Sequence, residues 1–392
     1  MPKKVVSLVI LINTIILALG APQSQAVSTE TVLNRQKALA LVIDNSSAIW
    51  KASEDERFEK KDYETEAAKA KGIDTKRVFL YHNPYTDDDV YYYFDASEQM
   101  QMRLLKEFMP EQMKFAWEIK KITLKLTENI MANTANDIFM GLYSTYQNQL
   151  LTQKSLDYAT KAHEREKVRF LNGLITELEF EESGLSVKKA ENAVIKAKRD
   201  FDNMHRQFNS LAGLPMDYRY ETIGTPWIGY QQISISEEEA IDKALSGRME
   251  IWSIKQQIRL IELKMEINRH MNVHLTHPDR RKDYQESQDE LDKLNIQLAE
   301  EEYKIKKEIK EACQDIQEGF LDLELAKQNL AKQKNQLETI RIQVQSGLIP
   351  ESVVEQMEQV IKQLEFAVNI NIIAVMNKND KLERAVSVGP GY

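Results

Sequence analysis

The sequence predicts an all-α fold built from two long antiparallel helical hairpins in tandem, with at most one short β-hairpin. Three observations carry this. In the C-terminal half, Ile309, Ile316, Leu323, Leu330, Leu337 and Val344 fall seven apart and stop just before Gly347-Leu348-Ile349. In the N-terminal half, Ala135, Leu142, Leu156 and Phe170 lie on one seven-residue grid that stops just before Gly173-Leu174-Ile175. Seam and turn are displaced together by 174 residues (347 − 173 and 344 − 170). Glycine and proline are scarce, 13 and 9 in 392, which favours long helices over a sheet-rich core. A heptad seam winds packed helices into a left-handed supercoil.

The first 26 residues read as an export signal. Lys3 and Lys4 give the positive start, Val5 to Leu19 the apolar run, and Ser24-Gln25-Ala26 the small-residue cleavage site. The run is short for a span of about 20 residues, which favours a cleaved signal over a retained anchor. The first repeat then occupies 27–214, a linker 215–232, and the second repeat 233–392. A helix is expected from about Thr29, as cap, to Ala70. The second repeat restarts with Ser236 as cap and Glu237, Glu238 and Glu239 in the first turn, where the helix dipole favours negative charge. Ile49-Trp50 and Ile251-Trp252 align at a spacing of 202 (252 − 50), so the first copy holds 28 more residues (202 − 174) before its turn. The difference falls at 78–94, where two aromatic and β-branched runs flank turn residues Asn83 to Asp89 and predict a short β-hairpin. The second copy has no strand pattern there, only a break at Pro278-Asp279. Long helices follow, from about Ala96 to Leu171 with a kink or restart at Pro110, and from about Tyr284 to Ser346. Shorter helices return over Thr176 to Leu211 and Glu351 to Val386. Ala312, Gly319 and Ala326, three residues beyond seam positions, are small enough for close helix approach.

Signatures of catalysis and cofactor binding are mostly missing from the sequence. No Gly-rich phosphate loop follows a predicted strand and no nucleophile–base arrangement is discernible, so neither a catalytic step nor a cofactor is expected. A net charge of −9 does not point to nucleic acid. Cys313 is the only cysteine, so stability must come from packing. His270, His274 and His277 are spaced i, i+4, i+7 and on a continuous helix would share a face able to bind zinc, although Pro278 follows directly. His163 and Gln149 fall on the apolar seam grid, where a polar residue sets register or faces a lumen. The acidic run Glu177, Glu179, Glu181, Glu182 has two compatible readings: favourable charge on a first helical turn, or a cation-attracting ring multiplied by assembly.

Taken together, the capped opening helices with polar breaks at Ala244-Leu245-Ser246-Gly247-Arg248 and Leu41 to Ser46, the two Gly-hydrophobic tips, and the returning helix ending Leu211-Ala212-Gly213 resemble the TolC-type outer-membrane efflux protein family. The resemblance covers nearly the whole chain after the signal. It implies a homotrimer of hollow α-helical barrel form, located in the cell envelope and working with an inner-membrane pump and a periplasmic adaptor (a membrane fusion protein). The adaptor would contact the tips, here Gly173, Leu174, Ile175, Gly347, Leu348 and Ile349. Acidic gate positions would fall at Glu177 and Glu179, with Glu351 and Glu355 standing near Val353-Val354, the pair that matches Glu179-Phe180. The membrane strands of that family look reduced to the single hairpin, which touches a membrane surface, stands in solvent or packs on itself. A conduit is therefore the leading expectation; a solid envelope spacer or tether, and a metal-binding envelope protein, are the alternatives.

Overall fold

The computed structural model describes residues 32–226, 235–387 and 389. The expected cap Thr29 lies outside them. The first helix begins at Arg35 instead, with Asn34 as its cap accepting from the Lys37 N–H; it runs Arg35–Asp44 (α1) and breaks at Asn45. Ser46 caps a second helix, Ser47–Lys71 (α2). One helix was expected here. The break arises because Ser46 turns its hydroxyl to the Ile49 N–H and holds extended backbone, which ends α1 and restarts the chain.

Arg77–Asn83 (β2) and Asp88–Tyr93 (β3) form the expected antiparallel hairpin, with a bulge between Phe79 and Tyr81. A second ladder exceeds the expected single hairpin. Val32–Leu33 (β1) pairs in parallel with Thr222–Ile223 (β4), tying the linker to the chain start; residues this few carry no legible strand pattern. Asp95 and Glu98 make a capping box for Ala96–Arg103 (α3). A π turn over Leu104–Phe108 leads into the long helix Met109–Leu171 (α4). Pro110, near the start of α4, lacks the N–H that an uninterrupted helix would need, and the wide turn before it absorbs the mismatch. The return helix is Glu177–Leu211 (α5).

The second repeat follows the same plan with Glu237–Gly247 (α6), Met249–Arg269 (α7), a 3₁₀ turn at His270–Asn272, Val273–Thr276 (α8), Pro278–Gln345 (α9) and Ser352–Ala385 (α10). The second long helix starts at Pro278, not near Tyr284. Proline is pre-set for the first helical turn, where no N–H is needed.

The duplication extends to single core residues. Ala38, Val42, Ala135, Phe139, Leu142 and Phe208 are buried in one cluster. Their counterparts Ala240, Ala244, Ile309, Cys313, Ile316 and Leu382 are buried in the other. Helices pack side by side in a slab, in the order α5–α4–α10–α9 near the tips and α2–α4–α7–α9 towards the β-hairpin. The shared end of α5 and α2 lies where Gly213 meets Asn45, and that of α10 and α6 where Gly247 meets Ser387. Gly319 brings α9 close to α10: a Cβ there would sit 3.1 Å from Val375 Cγ2. Among the described residues no helix is long and apolar enough to cross a membrane.

Candidate functional site

The two tips are built by identical backbone chemistry. Gly173 and Gly347 adopt φ of 71° and 72°, and each follows the last turn of a long helix. The Gly173 N–H donates to Phe170 O at 2.8 Å and the Leu174 N–H to Arg169 O at 2.8 Å. In the second tip Gly347 donates to Val344 O at 2.9 Å and Leu348 to Gln343 O at 2.9 Å. This pair of bonds satisfies the final carbonyls of a helix and demands a left-handed residue, which glycine supplies. Leu174 and Leu348 are left 67% and 73% exposed, so each tip offers an uncovered apolar side chain. Ile175 and Ile349 are half-buried behind them.

The acidic residues at the tips play different parts. Glu179 accepts from the Thr176 N–H at 2.7 Å and from its hydroxyl at 2.9 Å, completing a capping box. Those hydrogen bonds, the backbone one foremost, hold its carboxyl below the usual range. Glu177 stands exposed in the first turn. The second tip has Pro350 where the first has Thr176 and makes no side-chain cap, leaving Glu351 exposed. Glu355 reaches across to Arg165 of the first hairpin. Just above the first tip, Phe170, Phe180 and His163 stack in line, with centroids 5.1 and 4.9 Å apart, and His163 Nδ1 lies 2.6 Å from Ser183 Oγ. The equivalent positions 337, 344 and 354 are Leu, Val and Val.

A polar seam joins the two hairpins where α4 meets α10. Asn136 Nδ2 donates to Asn377 Oδ1 at 2.8 Å, Arg35 Nε donates to Asn136 Oδ1 at 2.8 Å, Arg35 also pairs with Asp380, and Arg384 binds Asn133. Burial pushes the Asp380 carboxyl up and the Arg384 guanidinium down; desolvation outweighs the attraction between opposite charges in both. Sequence reasoning passed over this network. Its signal is the polar set Asn377, Asp380 and Arg384 recurring at i, i+3, i+7, the spacing of one helix face.

The three histidines are not brought together as a ligand set. The helix that would have had to continue through all three ends at Arg269, and Asn272 turns left-handed at φ 57°. His274 packs against the Tyr284 ring and His277 Nδ1 lies 2.9 Å from Thr276 Oγ1. Among the described residues no group of three or more His, Cys, Asp or Glu is placed to hold a metal ion. A cleft of about 410 Å³ between α4 and α7 is lined by Phe115, Trp252, glutamates, Lys114 and Arg259, and holds no nucleophile–base pair.

No protein-family model and no curated protein matches the chain. Solved structures do. CusC, described as forming a transmembrane channel, aligns over 91% of this chain and 92% of its own with a TM-score of 0.66 at 11% identity. The outer membrane protein VceC of Vibrio cholerae aligns over 91% and 96%, TM-score 0.59, 13% identity. The Campylobacter jejuni outer membrane channel CmeC aligns over 92% and 86%, TM-score 0.57, 14% identity. The chain therefore has the α-helical fold of TolC-type outer membrane efflux channels.

Proposed function

We propose that this chain is the conduit subunit of an exported efflux or secretion system of the cell envelope. Three copies enclose an axial passage, and solute moves through it without a catalytic step. An energised inner-membrane pump supplies the work, and a periplasmic adaptor docks on the tips. Leu174 and Leu348 would seat in adaptor grooves, with Gly173, Gly347, Ile175 and Ile349 shaping the turn. Glu177 and Glu351 are free to meet a partner or a passing cation. Glu179 and Glu355 are held by Thr176 and Arg165 and serve the shape of the mouth.

One observation carries the reading. The slab has two unlike open edges, α5 with α2 on one side and α9 on the other, and their exposed apolar residues stand at matching heights. Leu178 and Ile342 are near the tips; Ile195 and Leu325 are about 30 Å above them, and Trp50 and Tyr303 about 60 Å, at 1.5 Å rise per residue. Contact between unlike edges of successive copies is the head-to-tail kind that builds a ring when the rotation per copy closes. Light scattering on the exported protein should give three copies, alone or with its adaptor; a persistent monomer defeats the proposal. Single cysteines on the faces turned to the axis, read against a background in which Cys313 is buried, should react with small aqueous reagents. Protection of all of them would mean a solid spacer.

A further inference from the structure

The end of the molecule opposite the tips carries two features that the conduit reading leaves unused. The first is the β2–β3 hairpin. Val78, Phe79, Leu80, Tyr81, Tyr92 and Tyr93 on it are all exposed, on a two-stranded ribbon that would be marginal in water by itself. The second is the basic stretch 269–282 of the other repeat. It holds Arg269, Arg280, Arg281 and Lys282, with Asp279 its one carboxylate. Arg280 pairs with Asp283 and Lys282 with Glu286 along their own helix. Arg281 donates to the Leu275 carbonyl and Arg269 lies over the Tyr284 ring, and neither charge meets a carboxylate among the described residues. The two features share one end because Met100 of α3, which follows the hairpin, is buried against Ile267 and Val273 beside the basic stretch.

We propose that these two prongs dock this end of the protein on the interface of an anionic lipid bilayer without crossing it. Tyrosine rings with a polar edge favour the headgroup level, and clustered Arg and Lys are drawn to anionic headgroups. Six- and seven-residue strands reach roughly 20 Å, short of the 9–11 tilted residues that span a bilayer. The tip of the hairpin carries Asp87 in the turn and Asp88 and Asp89 at the start of β3, which resist entry into hydrocarbon, so the hairpin lies along the surface with its turn in water. A second copy is the poorer occupant, since like-charged basic stretches repel. One chain carries both prongs, so the proposal stands or falls separately from the trimeric conduit.

The test is flotation of the protein, purified after export, with vesicles of phosphatidylcholine alone or of equimolar phosphatidylcholine and phosphatidylglycerol. The protein is expected to float with the mixed vesicles, weakly with the neutral ones, and to be released by salt or alkaline carbonate. The triple variant Arg280→Gln, Arg281→Gln, Lys282→Gln should bind the mixed vesicles roughly 100-fold more weakly, from about 1 kcal/mol per basic residue. Phe79→Ser, Tyr81→Ser, Tyr93→Ser together should weaken binding to both, with thermal unfolding of each variant checked in parallel. A protein that stays at the bottom of the gradient with both vesicles, variants that float as the parent does, or carbonate-resistant insertion would overturn the proposal. Light scattering on the same sample reads the conduit separately: a monomer that floats keeps this inference and loses that one. Salt release needs no variant, so a variant that fails to fold leaves the test intact.

Discussion

His205 lies fully buried on α5, edge-on to Phe201, and neither ring nitrogen makes a well-formed hydrogen bond. Burial, aided by the nearby Arg219 charge, pushes its pKa down to about 4. Between about 4 and the ordinary value of 6.5 the unfolded chain binds a proton that the folded chain refuses, so stability falls as pH drops through that window and is complete above it. The full loss is about 3 kcal/mol, at 1.36 per unit. His205→Leu should flatten the dependence of the melting temperature on pH over that range, and an unchanged slope would assign the acid lability elsewhere. Glycines separate in the same way by surroundings. A Cβ on Gly247 would stand 2.4 Å from the Ser387 carbonyl oxygen, whereas at Gly173 nothing lies within 4 Å. Gly247→Ala should therefore cost about 1–3 kcal/mol through forced movement of α10, and Gly173→Ala about 1–2 through its positive φ alone. Denaturant titration compares the two. Gly173 was legible from sequence because it ends a heptad run. His205 was not, because a lone histidine announces neither its burial nor its missing partners.

Among elements, local chemistry decides where helices start, and the two repeats solve the same turn differently. Thr176 and Glu179 cap α5 reciprocally, while α10 begins after Pro350 with backbone bonds from Val353 and Val354. Thr176→Ala should cost about 1 kcal/mol and speed amide exchange at the first tip, leaving the second unchanged. Equal acceleration at both tips would show that the tips are coupled. Heptad spacing located the long helices, and the offset between copies reappears in the structure: helix starts at Ser47 and Met249 keep 202, and helix ends at Leu171 and Gln345 keep 174. The i, i+4, i+7 spacing of the histidines would put them on one face only on a continuous helix, and Asn272, one of the residues that tolerates left-handed backbone, interrupts it.

For the whole molecule, the slab and its edges set what assembly is possible. Leu185 is exposed on α5 and Leu325 on α9, the two outer helices of the slab near the tips. If the proposed trimer forms through these edges, Leu185→Glu or Leu325→Glu alone should leave a monomer by placing charge in the apolar contact between copies, with little change in monomer stability. A trimer that survives both changes would move the interface elsewhere. Sequence by itself determined the duplication, the long helices, the turns that end them and the hairpin. Each of these rests on short-range spacing: a heptad, a cap, a glycine, a run of aromatic residues. Only tertiary structure decided how the two hairpins meet. The seam of Arg35, Asn133, Asn136, Asn377, Asp380 and Arg384 joins residues hundreds of positions apart, and no local pattern records which polar group will answer another. Local periodicity fixes which face of a helix is buried; the identity of what lies against it is a property of the packed chain.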